Sequence, residues 1–234
     1  MGWPGLTRPS HPVGKVGPRG DDRKVMADVT QARPRWNGEF ESSSEQQALK
    51  RRLILREAGA AFNERGFRNV SLDEVAVKLG ISKTVCYYYF RDKNHLLLSC
   101  VEIGFELAEH ALDVAEALDG RGLDRVVAFT RTYVEGITSD FGSCAVLTDM
   151  NSLHADDLKA VRTRQRQFGR RLIKLVEAGQ ADGSIDVANA RAAVSWIVSA
   201  PLMIPRLTEL WQSQGTAWLA DHYAEFTRRS LARR

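Results

Sequence analysis

Apolar positions recur at intervals of three and four residues through most of the chain beyond residue 43. That spacing predicts a succession of amphipathic helices, with nothing that reads as a strand pair. The first helix is expected over residues 44–65, with Ile54, Ala58, Ala61 and Phe62 on its inner stripe and Gly66 ending it. A second begins at Leu72, where Ser71 and Glu74 have the spacing of a capping box and Val70 and Val75 that of a hydrophobic staple. Its stripe is Leu72, Val75, Ala76 and Leu79, and Gly80 supplies the left-handed residue that closes it. Ser82 is then expected to cap a short third helix whose inner side is Ile81, Cys86, Phe90 and, in part, Val85. Two short helices joined across a glycine turn form a helix-turn-helix.

Asp92 is expected to cap a long helix running to about Leu118, with Leu96, Leu97, Cys100, Ile103, Leu107, Ala111, Val114 and Leu118 at helical spacing. Its first turns belong with the helix-turn-helix and the rest, past Gly104, with a larger body. Further helices are expected near residues 123–139, 145–153, 156–181, 187–213 and 216–231. The segment 192–211 is apolar on more than one stripe, so it is expected to be covered on several sides, either by the chain's own core or by a second copy of itself. The fold class is therefore all-α, with a three-helix head over residues 44–92 and a helical body over 93–234. Residues 1–43 hold five of the seven prolines, mixed charge and no sustained period, and are expected to be a disordered extension.

Composition changes this picture little. A chain of 234 residues that is 44% hydrophobic can build a sizeable core. The net charge of +4 suits a polyanionic partner or simply a solvated surface. Cys86, Cys100 and Cys144 are an odd number without a C-x-x-C pair, which suggests neither a disulfide framework nor a zinc site and makes the cytoplasm the expected compartment. The longest apolar run, 192–207, carries two prolines, two serines and an arginine, so no membrane span or membrane partner is expected. No phosphate-binding glycine loop, nucleophile elbow or metal-protease helix occurs, and no cofactor is implied. His154, Asp156 and Asp157 read as a helix start with acids at the positive end of the dipole.

The outer side of the third helix is more informative. Lys83, Thr84, Tyr87 and Tyr88 share it, a set that suits DNA: lysines and tyrosine hydroxyls can meet phosphates, and the methyls of Thr84 and Val85 can touch a thymine methyl. Packed tyrosines beside solvated lysines are the plainer alternative. Lys50, Arg51, Arg52 and Arg56 on the first helix, and the basic residues Arg8, Lys15, Arg19, Arg23, Lys24, Arg33 and Arg35 of the extension, could add phosphate contacts or be solvated.

The stretch GISKTVCYYYFRDKNHLL, the preceding IL..AGAAFNERGF segment and the S-x-x-E start resemble the TetR family of bacterial transcriptional regulators (TetR/AcrR-like). Cys86 departs from the usual leucine there but can pack as a small hydrophobe. The resemblance implies a DNA-binding head in which Ser71, Lys83, Thr84, Val85, Tyr87, Tyr88, Tyr89 and Lys93 occupy the positions used on DNA. It also implies a body that binds a small molecule and dimerises through its last two helices, here bearing Ile197, Ile204, Trp218, Tyr223 and Phe226. Phe105, Phe129, Tyr133, Met150, Phe168, Trp196 and Met203 are the candidate pocket lining, with Arg131 and Arg206 placed to meet an acidic group, which favours an apolar or acyl-type effector. The function expected is that of a homodimeric, ligand-responsive repressor on a palindromic double-stranded DNA operator, and not of an enzyme. Alternatives are a regulator that activates or has no ligand, and an all-helical enzyme or protein-binding adaptor carrying such a head.

Overall fold

A computed structural model describes residues 43–139, 142, 149–206 and 215–233, and the structural statements below concern those residues. The expectations for residues 1–42, for the part of the 145–153 helix before 149 and for 207–214 lie outside them, as do Cys144 and the side chain of Arg206. Eight α-helices are described: α1 (Ser43–Arg65), α2 (Leu72–Leu79), α3 (Lys83–Tyr89), α4 (Lys93–Ala117), α5 (Gly122–Thr138), α6 (Ala155–Ala181), α7 (Ala190–Leu202) and α8 (Thr216–Leu231). Among the described residues there is no strand, only an isolated bridge between Ile185 and Ala232. No helix described is long and apolar enough to cross a membrane.

Local chemistry sets the helix ends. Ser71 Oγ accepts from the Glu74 amide at 3.1 Å, while the Glu74 carboxylate is engaged by Arg65. The chain passes Gly80 at φ 65°, a left-handed conformation open to glycine at little cost, and this aims Ile81 back at the head. Asp92 Oδ1 accepts from the His95 amide at 2.7 Å, and that bond holds the carboxyl below its ordinary pKa. Ser82 stands at the start of α3 in extended conformation, but its side chain makes no capping bond.

The buried residues form two apolar clusters. The first joins α1, α2, α3 and the first half of α4, with Leu153 and Val161 of the body closing it. The second runs from Ala108 of α4 through α5, α6, α7 and α8. The division along α4 falls between Phe105 and Ala108, one turn beyond the expected point, and Leu107 touches both clusters. A single rigid helix thus contributes to both cores.

Three expectations are corrected. Met150–Ser152 is a 3-10 turn and not part of an α-helix. The helix expected at 187 starts at Ala190, because Asn189 caps the Ala192 amide, and it ends at Leu202. Just beyond, Pro205 has no amide to donate to a continuing helix, and a 3-10 turn, Ile204–Arg206, follows. Ala111 is buried as expected, but Val114 and Leu118 are 39% and 40% exposed, and Ala108, Leu112 and Ala115 complete the inward face of this half of α4 instead. The alanines let α5 approach closely, and their weak hydropathy hides that face behind larger neighbours in the sequence pattern.

Polar ties brace the body. Arg164 on α6 donates through Nε and Nη2 to both carboxylate oxygens of Glu109 on α4, and Arg171 donates to Asp113 and Glu116 one and two turns on. Between α5 and α8, Arg228 pairs with Asp124 and the buried Thr227 hydroxyl donates to Thr130 at 3.2 Å.

Candidate nucleic-acid interface

The outer face of the head is built on a buried underside. Cys86 of α3 and Phe90 at its end are 0% exposed, whereas Tyr87 and Tyr88 are 44% and 70% exposed. Seven helical residues therefore present two tyrosines, Lys83 and Thr84 to solvent from a firmly seated base. Val85 is half-buried at the edge of this face. Tyr89 turns toward the head core with its ring edge-on to Tyr88, centroids 5.0 Å apart, and burial raises its phenol pKa. It packs as well as borders the surface.

Lys83 does not extend freely from this face. Its Nζ donates to Asp73 Oδ2 of α2 at 2.6 Å, and that bond raises the ammonium pKa. Lys93 is held differently: Nζ lies 4.1 Å from the centre of the Phe67 ring and donates to the Arg68 carbonyl at 3.4 Å, and the desolvation lowers its pKa. Ser71 keeps its hydroxyl hydrogen available while its oxygen caps α2. Of the basic residues on α1, Arg51 is exposed but tethered: its guanidinium donates to Ser99 Oγ at 3.2 Å and lies 5.3 Å from the Phe90 ring centre.

Three residues that the sequence pattern does not single out matter to this surface. Asp73 neutralises Lys83. Asp149 accepts from the Phe67 amide at 3.0 Å, and Asn94 bridges the Ser152 carbonyl and the His154 amide, so the segment leading into α6 grips the turn on which Lys93 rests. Contacts spanning 82, 58 and 60 residues leave no periodic trace in a sequence.

The candidate pocket residues are dispersed. Phe105 is buried in the head-side cluster beneath Arg164, and Met150 packs against that cluster too. Phe129, Tyr133 and Phe168 fill the body core, with Phe129 stacked on Tyr133 at 5.6 Å and 6.0 Å from Phe168. The Tyr133 hydroxyl is buried with no hydrogen-bond partner among the described residues, and burial pushes its pKa well up. Arg131 is exposed and paired with Asp221. Trp196 opens onto an apolar groove of about 400 Å³ between α7 and α8, which Ile197, Pro201, Tyr223 and Phe226 also line. Trp196 and Phe226 stand 5.1 Å apart in it. Met203, the remaining pocket candidate, is 41% exposed just past the end of α7. Of the dimerisation candidates, Phe226 and Trp218 are 58% and 39% exposed, while Ile197 and Ile204 are buried in the chain's own core. Among the described residues no cluster of His, Cys, Asp and Glu could hold a metal ion.

Comparison with known proteins agrees with this geometry. Residues 54–100 match the family model described as bacterial regulatory proteins, tetR family, and residues 119–231 match the tetracyclin repressor-like C-terminal domain. An uncharacterized HTH-type transcriptional regulator of Mycobacterium tuberculosis is 28% identical over 148 residues, covering 60% of this chain and 62% of that protein. The chain thus spans less than two thirds of that relative's length. The ketosteroid transcriptional regulator KstR2 of M. tuberculosis superposes with a TM-score of 0.68 at 15% identity, over 86% of this chain and 100% of that one. AibR in complex with isovaleryl coenzyme A and operator DNA superposes with a TM-score of 0.64 at 17% identity, over 78% and 98%. With both the helix-turn-helix head and the helical body matched, the chain belongs to the TetR family of bacterial transcriptional regulators.

Proposed function

We propose that the protein is a homodimeric repressor that binds a palindromic operator through α3 and is released by a small apolar or acyl-type effector taken up by the body. The observation that carries the DNA-binding part is the exposed set Lys83, Thr84, Tyr87 and Tyr88 standing on the fully buried Cys86 and Phe90. Two such helices related by a dyad would enter successive major grooves roughly 34 Å apart. The test is a footprint on an operator selected from random duplexes: the expected result is two protected half-sites of inverted sequence about one helical turn apart. A single unpaired site would overturn the symmetric mode.

The dimer reading is supported by the apolar face that α7 and α8 leave uncovered, with Trp196, Trp218 and Phe226 all more than a third exposed. An effector can release DNA only by binding one arrangement of the head better than another. The lever in this reading is α4, which packs in both cores and is gripped near its start through Asn94. A shift of α4 by a few Å would alter the spacing of the two recognition helices.

The effector site in this reading adjoins Tyr133, whose buried hydroxyl lacks a partner that a carbonyl oxygen could supply. AibR, solved with an acyl coenzyme A, is consistent with that ligand class. Tyr133→Phe is expected to leave the free protein's melting temperature unchanged or slightly higher, since it deletes an unpaired buried hydroxyl. It should also weaken effector-driven release of operator by about tenfold, the worth of one hydrogen bond in a buried site. A panel of short acyl thioesters and sterols, read as operator release by fluorescence anisotropy, checks this. Release unaltered by Tyr133→Phe would remove Tyr133 from the site.

A further inference from the structure

An acidic side chain of the recognition surface stands in direct contact with one of its cations. Asp73 is the second residue of α2 and Lys83 the first of α3, and the turn through Gly80 brings Lys83 Nζ to 2.6 Å from Asp73 Oδ2. Both side chains are more than half exposed, at 52% and 60%, so the pair is wet and contributes little to folding. Its consequence is for what approaches from outside. We propose that Asp73 is a specificity-determining residue of the DNA interface: an internal anion that occupies Lys83 until an operator acceptor displaces it. The proposal rests on the reading of α3 as the DNA-contacting face.

The physical argument has two parts. A lysine already paired with a carboxylate neutralises less phosphate charge and so releases fewer of the cations condensed on any duplex, which removes about one cation per protomer from the sequence-independent attraction. The carboxylate stands at the positive end of the α2 dipole, beside the Ser71 hydroxyl, where a phosphate would otherwise be welcome, and it repels phosphates there. On an unrelated duplex nothing compensates. On the operator, an acceptor at the right position, such as the O6 and N7 edge of guanine or a fixed phosphate, can take Lys83 from Asp73 and recover the loss. Discrimination thus comes from a built-in repulsion that only the correct sequence offsets. Lys83 also lies 5.8 Å from the Tyr87 ring centre, so its release from Asp73 keeps it over the same face.

The test measures affinity of the full chain for its selected operator and for an unrelated duplex across a potassium chloride series. The variants are Asp73→Asn, Asp73→Ser, Lys83→Ala and the double variant Asp73→Asn/Lys83→Ala, each checked by circular dichroism. The expected result is that both Asp73 variants bind the unrelated duplex about tenfold more tightly and the operator only about twofold more tightly. Their salt dependence on the unrelated duplex should steepen by about 0.9 per protomer, about 1.8 for a dimer with one extra phosphate contact in each half. In the Lys83→Ala background the Asp73→Asn gain should shrink to the smaller part that comes from removing the carboxylate's own repulsion of phosphates. Unchanged binding of the unrelated duplex by both Asp73 variants would overturn the proposal, as would the same gain with Lys83 absent. If Lys83→Ala itself leaves operator affinity at the wild-type value, the reading of α3 fails and the proposal with it. If Lys83→Ala weakens binding while Asp73→Asn changes nothing, only the proposal for Asp73 fails.

Discussion

The triple variant Lys83→Ala/Tyr87→Ala/Tyr88→Ala is expected to lose operator affinity by more than about a thousandfold while keeping its helical content and thermal midpoint. A direct base or charge-assisted phosphate contact contributes roughly 1–3 kcal/mol, and a symmetric complex makes each one twice. The fold should tolerate the change because Tyr87 and Tyr88 are 44% and 70% exposed, and the head core beneath them rests on Cys86 and Phe90. Among the single variants, Tyr88→Ala should weaken all duplexes about equally, as loss of a phosphate contact does. Lys83→Ala should in addition alter which bases are preferred in the half-site. Titration of labelled operator and of shuffled sequence at two salt concentrations measures both. A triple variant within a few fold of wild type would mean that the protein meets DNA, if at all, by another surface.

The second large effect is expected from a charge placed on the exposed aromatic face of α7 and α8. Phe226→Asp should convert a dimer into monomers at micromolar concentration and lower operator affinity by at least about a hundredfold, because two half-sites would then be bound without their link. Phe226 is 58% exposed in the single chain and stands against Trp196, so a covering copy would bury both rings. Burial of each large apolar side chain stabilises by roughly 1.5–3 kcal/mol, and twofold symmetry repeats each contribution. An unpaired carboxylate at that position would lose those contributions and add a desolvation penalty. The monomer itself should still fold, since Leu219, Ala220, Ala224 and Leu231 seat α8 on the body independently of Phe226. Sedimentation velocity reads the outcome, and a wild-type chain that is monomeric yet binds operator at full affinity would exclude this face as the interface.

The features legible in the sequence are those whose causes are local. The start of α2 follows from Ser71, its end from Gly80 and the start of α4 from Asp92, all within four residues of the bonds they make. The 3.6-residue period of Leu72, Val75, Ala76 and Leu79 decides which face of α2 is buried, and by subtraction the side of α3 bearing Tyr87 and Tyr88 is exposed. The helices of the head and the chemistry they turn outward therefore follow from neighbouring residues alone.

A period specifies that a side chain turns inward, not what it meets there. Phe105, Phe129 and Trp196 carry the same apolar signature, yet one lies in the head cluster, one in the body core and one at an open groove. Along α4, Ala108, Leu112 and Ala115 join Ala111 on the inward face while Val114 and Leu118 stay outside, because close approach of α5 depends on side-chain volume on both helices at once. The tertiary structure alone brought Asp73 to Lys83 across the turn and Asp149 to Phe67 from 82 residues away. Such pairings depend on where two separately formed helices come to rest. The local sequence around each partner is compatible with many other neighbours, so only packing of the whole chain selects the one that occurs.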